Sequence, residues 1–205
     1  MTGHKVTILY DSAVAVRTRL QSGEATDVAI IQKPVVEALS AQGKIVRGTV
    51  VTLARSGLAL AVRKNAPKPD ISSVDAFKRA LLAAESIAYP DPARGAASGI
   101  QFRGVIERLG IAEDVNAKAK FRSPASPRHD VELVITQPAE ILAEPNLDLV
   151  GWLPDELQDY EAFSWAAGVT ADAAEPDAAK KLIQFLSSPT AARIIQKGGM
   201  RPGSL

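Results

Sequence analysis

Short alternating runs and longer runs of helical spacing follow one another along the chain. Val6, Ile8 and Tyr10 alternate with Thr7 and Leu9, which predicts a strand, and Asp11 and Ser12 then precede a helical run over 13–20 that stops near Gly23. The order recurs: 27–31 reads as a short apolar strand, and Pro34 opens a helix through Val35, Val36, Ala38 and Leu39 that ends by Gly43. Segments 50–54 and 58–63 read as two further strands, separated by Arg55, Ser56 and Gly57. Repeated strand–helix units predict an α/β protein with mainly parallel sheets covered by helices.

Farther on, Pro67 and Pro69 stand among polar residues in 64–70, the expected connection between substructures. Ser72 with Asp75 resembles a capping box ahead of Val74, Phe77 and Leu81 at helical spacing. Strand-like 86–89 runs into the loop 90–99, and a helix over 100–109 is closed by Gly110. Segments 118–121 and 131–136 read as strands, Pro138 starts a short helix, and 147–152 and 160–169 read as extended. Pro176 and Pro189 each open a terminal helix, the last one stopped by Gly198 and Gly199.

Composition narrows the classes. A chain of 205 residues with 46% hydrophobic and 23% charged residues has material for a sizeable core. Its net charge of +1, with Lys and Arg dispersed and aromatics at 5%, argues against a nucleic-acid platform. With no cysteine, disulfides, thiolate metal sites and a Cys nucleophile are excluded. No apolar run approaches the roughly 20 residues of a membrane span, and the start through Lys5 carries no apolar signal region.

Candidate chemistry gathers at strand-to-helix junctions. Asp11 and Ser12 follow the first expected strand, Gln32 the second, and Ser98 and Gly99 stand ahead of the helix at 100–109. The first turn of a helix offers unpaired N–H groups and partial positive charge, so such a junction holds an anion without a cationic side chain. Open α/β sheets bind ligands beyond the carboxyl ends of their strands, where these junctions fall. The competing reading is ordinary capping by Ser and Asp, and Asp11 itself disfavours an anion at its side chain. Arg94 in the Gly/Ala/Ser-rich loop is a candidate clamp for an oxyanion or carboxylate, weighed against a solvated loop arginine, and Gln137 before Pro138 is a candidate on the opposite wall.

Catalytic, metal and cofactor patterns are absent from the sequence. His4 and His129 have no metal-site spacing, His129 with Asp130 reads as a polar loop pair, and residues 95–99 lack the G-x-S-x-G order. No phosphate loop or dinucleotide fingerprint occurs, so no catalytic residue, metal ligand or cofactor is expected.

Four segments in order across the chain carry a resemblance. Residues 2–6, the turn 23–28, the run 53–62 from Leu53 through Arg55, Ser56 and Gly57 to Val62, and the ending 185–202 are similar to bacterial extracellular solute-binding proteins of the molybdate-binding type. The resemblance implies the type II periplasmic-binding fold, two α/β lobes with a ligand cleft, lobe 1 being 1–66 plus 155–205 and lobe 2 being 67–154. It implies capture of a small anion, a molybdate-like oxyanion or small carboxylate, for the membrane subunit of an ABC transporter, with periplasmic localisation. Ser12, and Ser98 with Gly99, match the family's anion-binding turns by position. The chain departs from the pattern by starting inside it, without the signal peptide or the first strand and helix, and 122–130 is short for the helix expected there. A homodimer that compensates for the missing strand is one expectation. An intracellular small-molecule sensor of the same fold is the alternative, which would place the chain in the cytoplasm, and an enzyme using Asp11, Arg94 or His129 is a further one.

Overall fold

The computed structural model describes residues 3–122 and 130–203. In chain order its elements are α1 (Ala13–Gln21), β1 (Val28–Gln32), α2 (Lys33–Ala41), β2 (Val51–Arg55), β3 (Ala59–Arg63), α3 (Val74–Ala83), β4 (Ile87–Pro90) and α4 (Ala97–Arg108). There follow α5 (Ala112–Ala117), β5 (Ala119–Arg122), β6 (Leu133–Thr136), α6 (Pro138–Leu142), β7 (Leu147–Trp152), β8 (Ser164–Val169), α7 (Pro176–Leu186), α8 (Pro189–Lys197) and β9 (Arg201–Pro202). The chain divides into two compact units, Met1–Arg55 with Tyr160–Leu205, and Ser56–Asp159.

The first unit holds a sheet of order β1-β8-β2-β9 in which every pairing is antiparallel. This corrects the expectation of mainly parallel sheets here: β8 runs against both β1 and β2 and lies between them, a long-range insertion that local periodicity does not report. Ala166 and Ala167 on β8 are fully buried, with Val36 and Leu39 of α2 on one side and Ile183 of α7 among the residues of a second cluster. Segment 6–10 belongs to no strand, and Ile8, Leu9 and Tyr10 are 61%, 71% and 88% exposed. Alternation specifies two faces, but a strand also needs a partner for its N–H and C=O groups, and among the described residues none pairs with this segment. Likewise β8 begins at Ser164, and turns occupy 160–163 where extension was expected.

The second unit has a mixed sheet of order β5-β4-β6-β3-β7. Here β4 is parallel to β5 and β6, while β3 is antiparallel to β6 and β7. Leu58, Leu60, Phe77, Leu81, Ile87, Tyr89, Phe102, Ile106 and Ile135 form the heart of its core, and the Tyr89 and Phe102 rings meet edge-on at 4.9 Å. The proline-containing stretch after β3 is tied down to β7: Asn65 N–H donates to Asp148 at 2.8 Å and Lys68 Nζ to the Leu149 carbonyl at 2.8 Å. Helix α3 is capped by Ser73, whose Oγ accepts from Ala76 N–H at 3.1 Å; Ser72 instead has its N–H bound by Asp70. The expected cap is thus one residue off.

Gln158 joins the entry and exit of this unit. Its Oε1 accepts from Leu58 N–H at 2.8 Å, and its Nε2 donates to the carbonyls of Leu58 at 2.8 Å and Leu153 at 3.0 Å. A Cβ on Gly57 would stand 2.4 Å from Gln158 Oε1, so a larger residue there would have to displace the Gln158 amide from these bonds.

Candidate functional site

In the second unit the carboxyl ends of parallel β4, β5 and β6 reach one rim. Pro90 pairs with Arg122 across β4 and β5, and Ala59, at the start of antiparallel β3, pairs with Thr136 at the end of β6. Two expected junctions open there. After β4, Asp91 accepts from Ala93 N–H at 2.9 Å and stands 3.6 Å from the Arg94 guanidinium, which is 77% exposed. Then α4 begins with Ala96 at its cap position and no side-chain cap bond, although it is a full twelve-residue helix. Ser98 is 4% exposed within its first turn. Gly99 packs on the strand end, since a Cβ there would lie 2.0 Å from the Pro90 carbonyl oxygen. An uncapped first turn leaves N–H groups to donate and the positive end of the helix dipole unneutralised.

After β6, half-buried Gln137 occupies the cap position of α6 without making a side-chain cap bond. The adjacency of β4 and β6 therefore places the turn bearing Gln137 beside the turn that leads to Ser98 and Gly99. Three polar residues at or near this rim were not anticipated from the sequence. Arg122, with 7% of its side chain exposed, pairs with Glu140 at 3.2 Å and Glu144 at 3.6 Å, and Thr136 Oγ1 donates to Glu140 at 2.6 Å. The four-residue spacing of Glu140 and Glu144 was a signal for one shared cation. Ser56, ahead of β3, is 1% exposed with an Oγ that has no partner among the described residues. On α4, both polar side-chain atoms of Gln101 are buried and equally unpartnered.

The first unit holds the other expected residues. Ser12 caps α1, its Oγ accepting from Ala15 N–H at 3.2 Å, which leaves its own O–H as a donor. Asp11 accepts from Ser12 N–H at 2.7 Å and pairs with Arg19 at 3.0 Å, so its charge is balanced locally. Gln32 ends β1 at the cap position of α2, makes no cap bond, and has a buried, unpartnered Oε1. Next to it, Lys33 donates to Glu161 at 2.6 Å; this bond holds the Lys33 ammonium above its ordinary pKa against a smaller effect of burial, and holds the Glu161 carboxyl below its own. His129 lies outside the described residues. Among the described residues no group of three or more His, Asp or Glu is placed to hold a metal ion, and no helix is long and apolar enough to cross a membrane.

Comparison with known proteins decides the family. The model of the bacterial extracellular solute-binding protein family matches residues 1–201. The chain belongs to that family. An aconitate isomerase from Pseudomonas sp is 35% identical over 199 residues, covering 94% of this chain and 73% of that relative. Among solved structures, the substrate-binding domain of a putative molybdenum ABC transporter from Clostridium difficile aligns with a TM-score of 0.83 at 16% identity, over 96% of this chain and 86% of that one. The periplasmic molybdate-binding protein of Azotobacter vinelandii aligns at 0.66 with 21% identity, over 97% and 88% of the two chains. The fold is the type II periplasmic-binding fold.

Proposed function

We propose that this solute-binding protein captures a small carboxylate-bearing anion outside the cytoplasmic membrane and presents it to the membrane subunit of an ABC transporter. The observation that carries the proposal is the start of α4: twelve residues, no side-chain cap, a buried Ser98 in the first turn, and Gly99 seated on the Pro90 carbonyl. Backbone N–H groups, the Ser98 hydroxyl and the adjacent Gln137 amide supply neutral donors for an oxyanion or carboxylate, with Arg94 as an exposed cation beside them. Ser12 and Gln32 offer similar donors in the first unit, and Asp11, already held by Arg19, positions the cap. The 35% relative favours carboxylates over molybdate, since its name concerns a tricarboxylate.

The test is a thermal-shift panel of cis- and trans-aconitate, citrate, molybdate, tungstate, sulfate and phosphate, repeated on Ser98→Asp. A binding anion raises the melting temperature in proportion to its occupancy. Ser98→Asp puts a negative charge where the helix dipole welcomes it and a bound anion does not, so α4 persists by circular dichroism while the anion-dependent shift falls by at least half. A panel with no shift, or an undiminished shift in Ser98→Asp, overturns the site. A second reading, isomerisation of the captured carboxylate, is favoured by the same relative. It is tested by following cis- and trans-aconitate by proton NMR in D2O, where interconversion with deuterium uptake supports it and an unchanged spectrum removes it.

A further inference from the structure

Resting on the anion-binding reading of α4, we infer that this site takes a carboxylate that also bears a hydroxyl, and that Gln101 is the residue that recognises the hydroxyl. Gln101 as a whole is half-buried, yet its Oε1 and Nε2 are both buried and neither has a hydrogen-bond partner among the described residues. The part of this residue that solvent reaches is therefore not its amide. A glutamine on a helix surface ordinarily turns its amide to water; one turned inward without a partner forfeits hydrogen bonds whose loss is costly. Ser56 is a second such group, 1% exposed with an equally unpartnered Oγ.

Both groups belong to the rim that carries the α4 start. A helical side chain leans toward the N-terminus of its helix and covers the turn before its own, so Gln101, three residues after Ser98 and four after Ala97, lies over the uncapped first turn. Ser56 stands three residues before Ala59, whose pairing with Thr136 marks the end of β6, so the chain ahead of β3 runs out past that end, as Gln137 does. Chemistry then separates the ligands. First-turn N–H groups only donate and suit ionised oxygens, whereas an amide and a hydroxyl both donate and accept. A fully ionised oxyanion such as sulfate or molybdate carries acceptors alone and leaves Gln101 Oε1 unsatisfied. A hydroxycarboxylate answers both needs: its carboxylate accepts from the first-turn N–H groups and from Gln101 Nε2, and its O–H donates to Gln101 Oε1.

The test compares acids that differ by that hydroxyl alone, citrate with tricarballylate and malate with succinate, titrated calorimetrically into the native chain and into Gln101→Met. In at least one pair the hydroxy acid is expected to bind about tenfold or more tighter, because the analogue leaves a polar group of the site unpaired. Gln101→Met is expected to bring that ratio within about threefold. Its ligand-free melting temperature is expected to equal or exceed the native one, since the substitution removes an unpaired amide and no bond within the protein; a glutamine that served the fold would instead show a fall. Equal binding within both pairs, a hydroxyl preference that survives Gln101→Met, or a lowered ligand-free melting temperature overturns the assignment. Where those equal affinities still fall in Ser98→Asp, the anion site stands and only its hydroxyl recognition is lost. Binding of none of the four acids overturns the assignment too, and takes the anion site with it where the inorganic anions also fail to bind.

Discussion

In the second unit β3 lies between two strands, and Ala59, Leu60, Ala61 and Val62 are at most 1% exposed. In the first unit β1 has a neighbour on one side only among the described residues, Ile30 is 45% exposed, and segment 6–10 stands outside the sheet. The same local vocabulary, apolar strand then capped helix, thus ends in a closed core in one place and in open apolar surface in the other. The difference lies in neighbours: a strand's own sequence supplies faces, and the rest of the chain supplies edges.

The largest effect that tests this contrast is expected from Phe102→Ala. Its fully buried ring touches the Tyr89 ring in the main core, so the substitution should cost about 3–5 kcal/mol in chemical denaturation, while Leu9→Ala, at an exposed position, stays within about 0.5 kcal/mol. Equal costs at the two positions would break the comparison.

A smaller loss is expected from Arg122→Ala. It leaves Glu140 and Glu144 without this cation, and because their side chains are 46% and 27% exposed the cost is about 1–3 kcal/mol, short of that for a fully buried pair. The loss should shrink as the carboxylates are protonated at low pH; a loss unchanged by acid would show that Arg122 acts through packing alone.

The smallest effect belongs to the first unit's Lys33–Glu161 pair. Glu161 has a lowered folded-state pKa, so its contribution is complete above the ordinary glutamate value of about 4.3 and lost as pH falls through the lowered one. Lys33 has a raised pKa, so its contribution is complete below the ordinary lysine value and lost as pH rises through the raised one. Glu161→Gln should therefore lower the melting temperature slightly at neutral pH and leave it unchanged in strong acid, where the native side chain is also neutral. A difference that persists in acid would refute the pairing as its cause.

Helix starts were the most legible part of the fold. Ser12, Pro34, Pro138, Pro176 and Ser188 with Pro189 act within a turn or less of themselves, and each stands where a helix opens. Sheet order was not legible, because β8 reaches its place between β1 and β2 from more than a hundred residues away. Helix α5 and two-residue β9 were missed for a related reason, being short elements set by tertiary packing and not by periodicity. Of the candidate site, the junctions at Gln32, Ser98 and Gln137 could be read from strand-to-helix order. Arg122, Ser56 and Gln101 could not, since their interest lies in burial and in which neighbours they have or lack.

The bonds made by Gln158 bear on the order in which the chain folds. By fastening Leu58 to the far end of the second unit, they bring the chain's exit from that unit back to its entrance. Until this happens, β2 and β8 must find each other across the whole of residues 56–159, a long-range search whose loop-closure cost rises only logarithmically with length but which slows their encounter. Once it has happened, the same two strands meet as though joined by a short hairpin. On this loop-closure argument, pairing of β2 with β8 is expected to follow closure of the second unit.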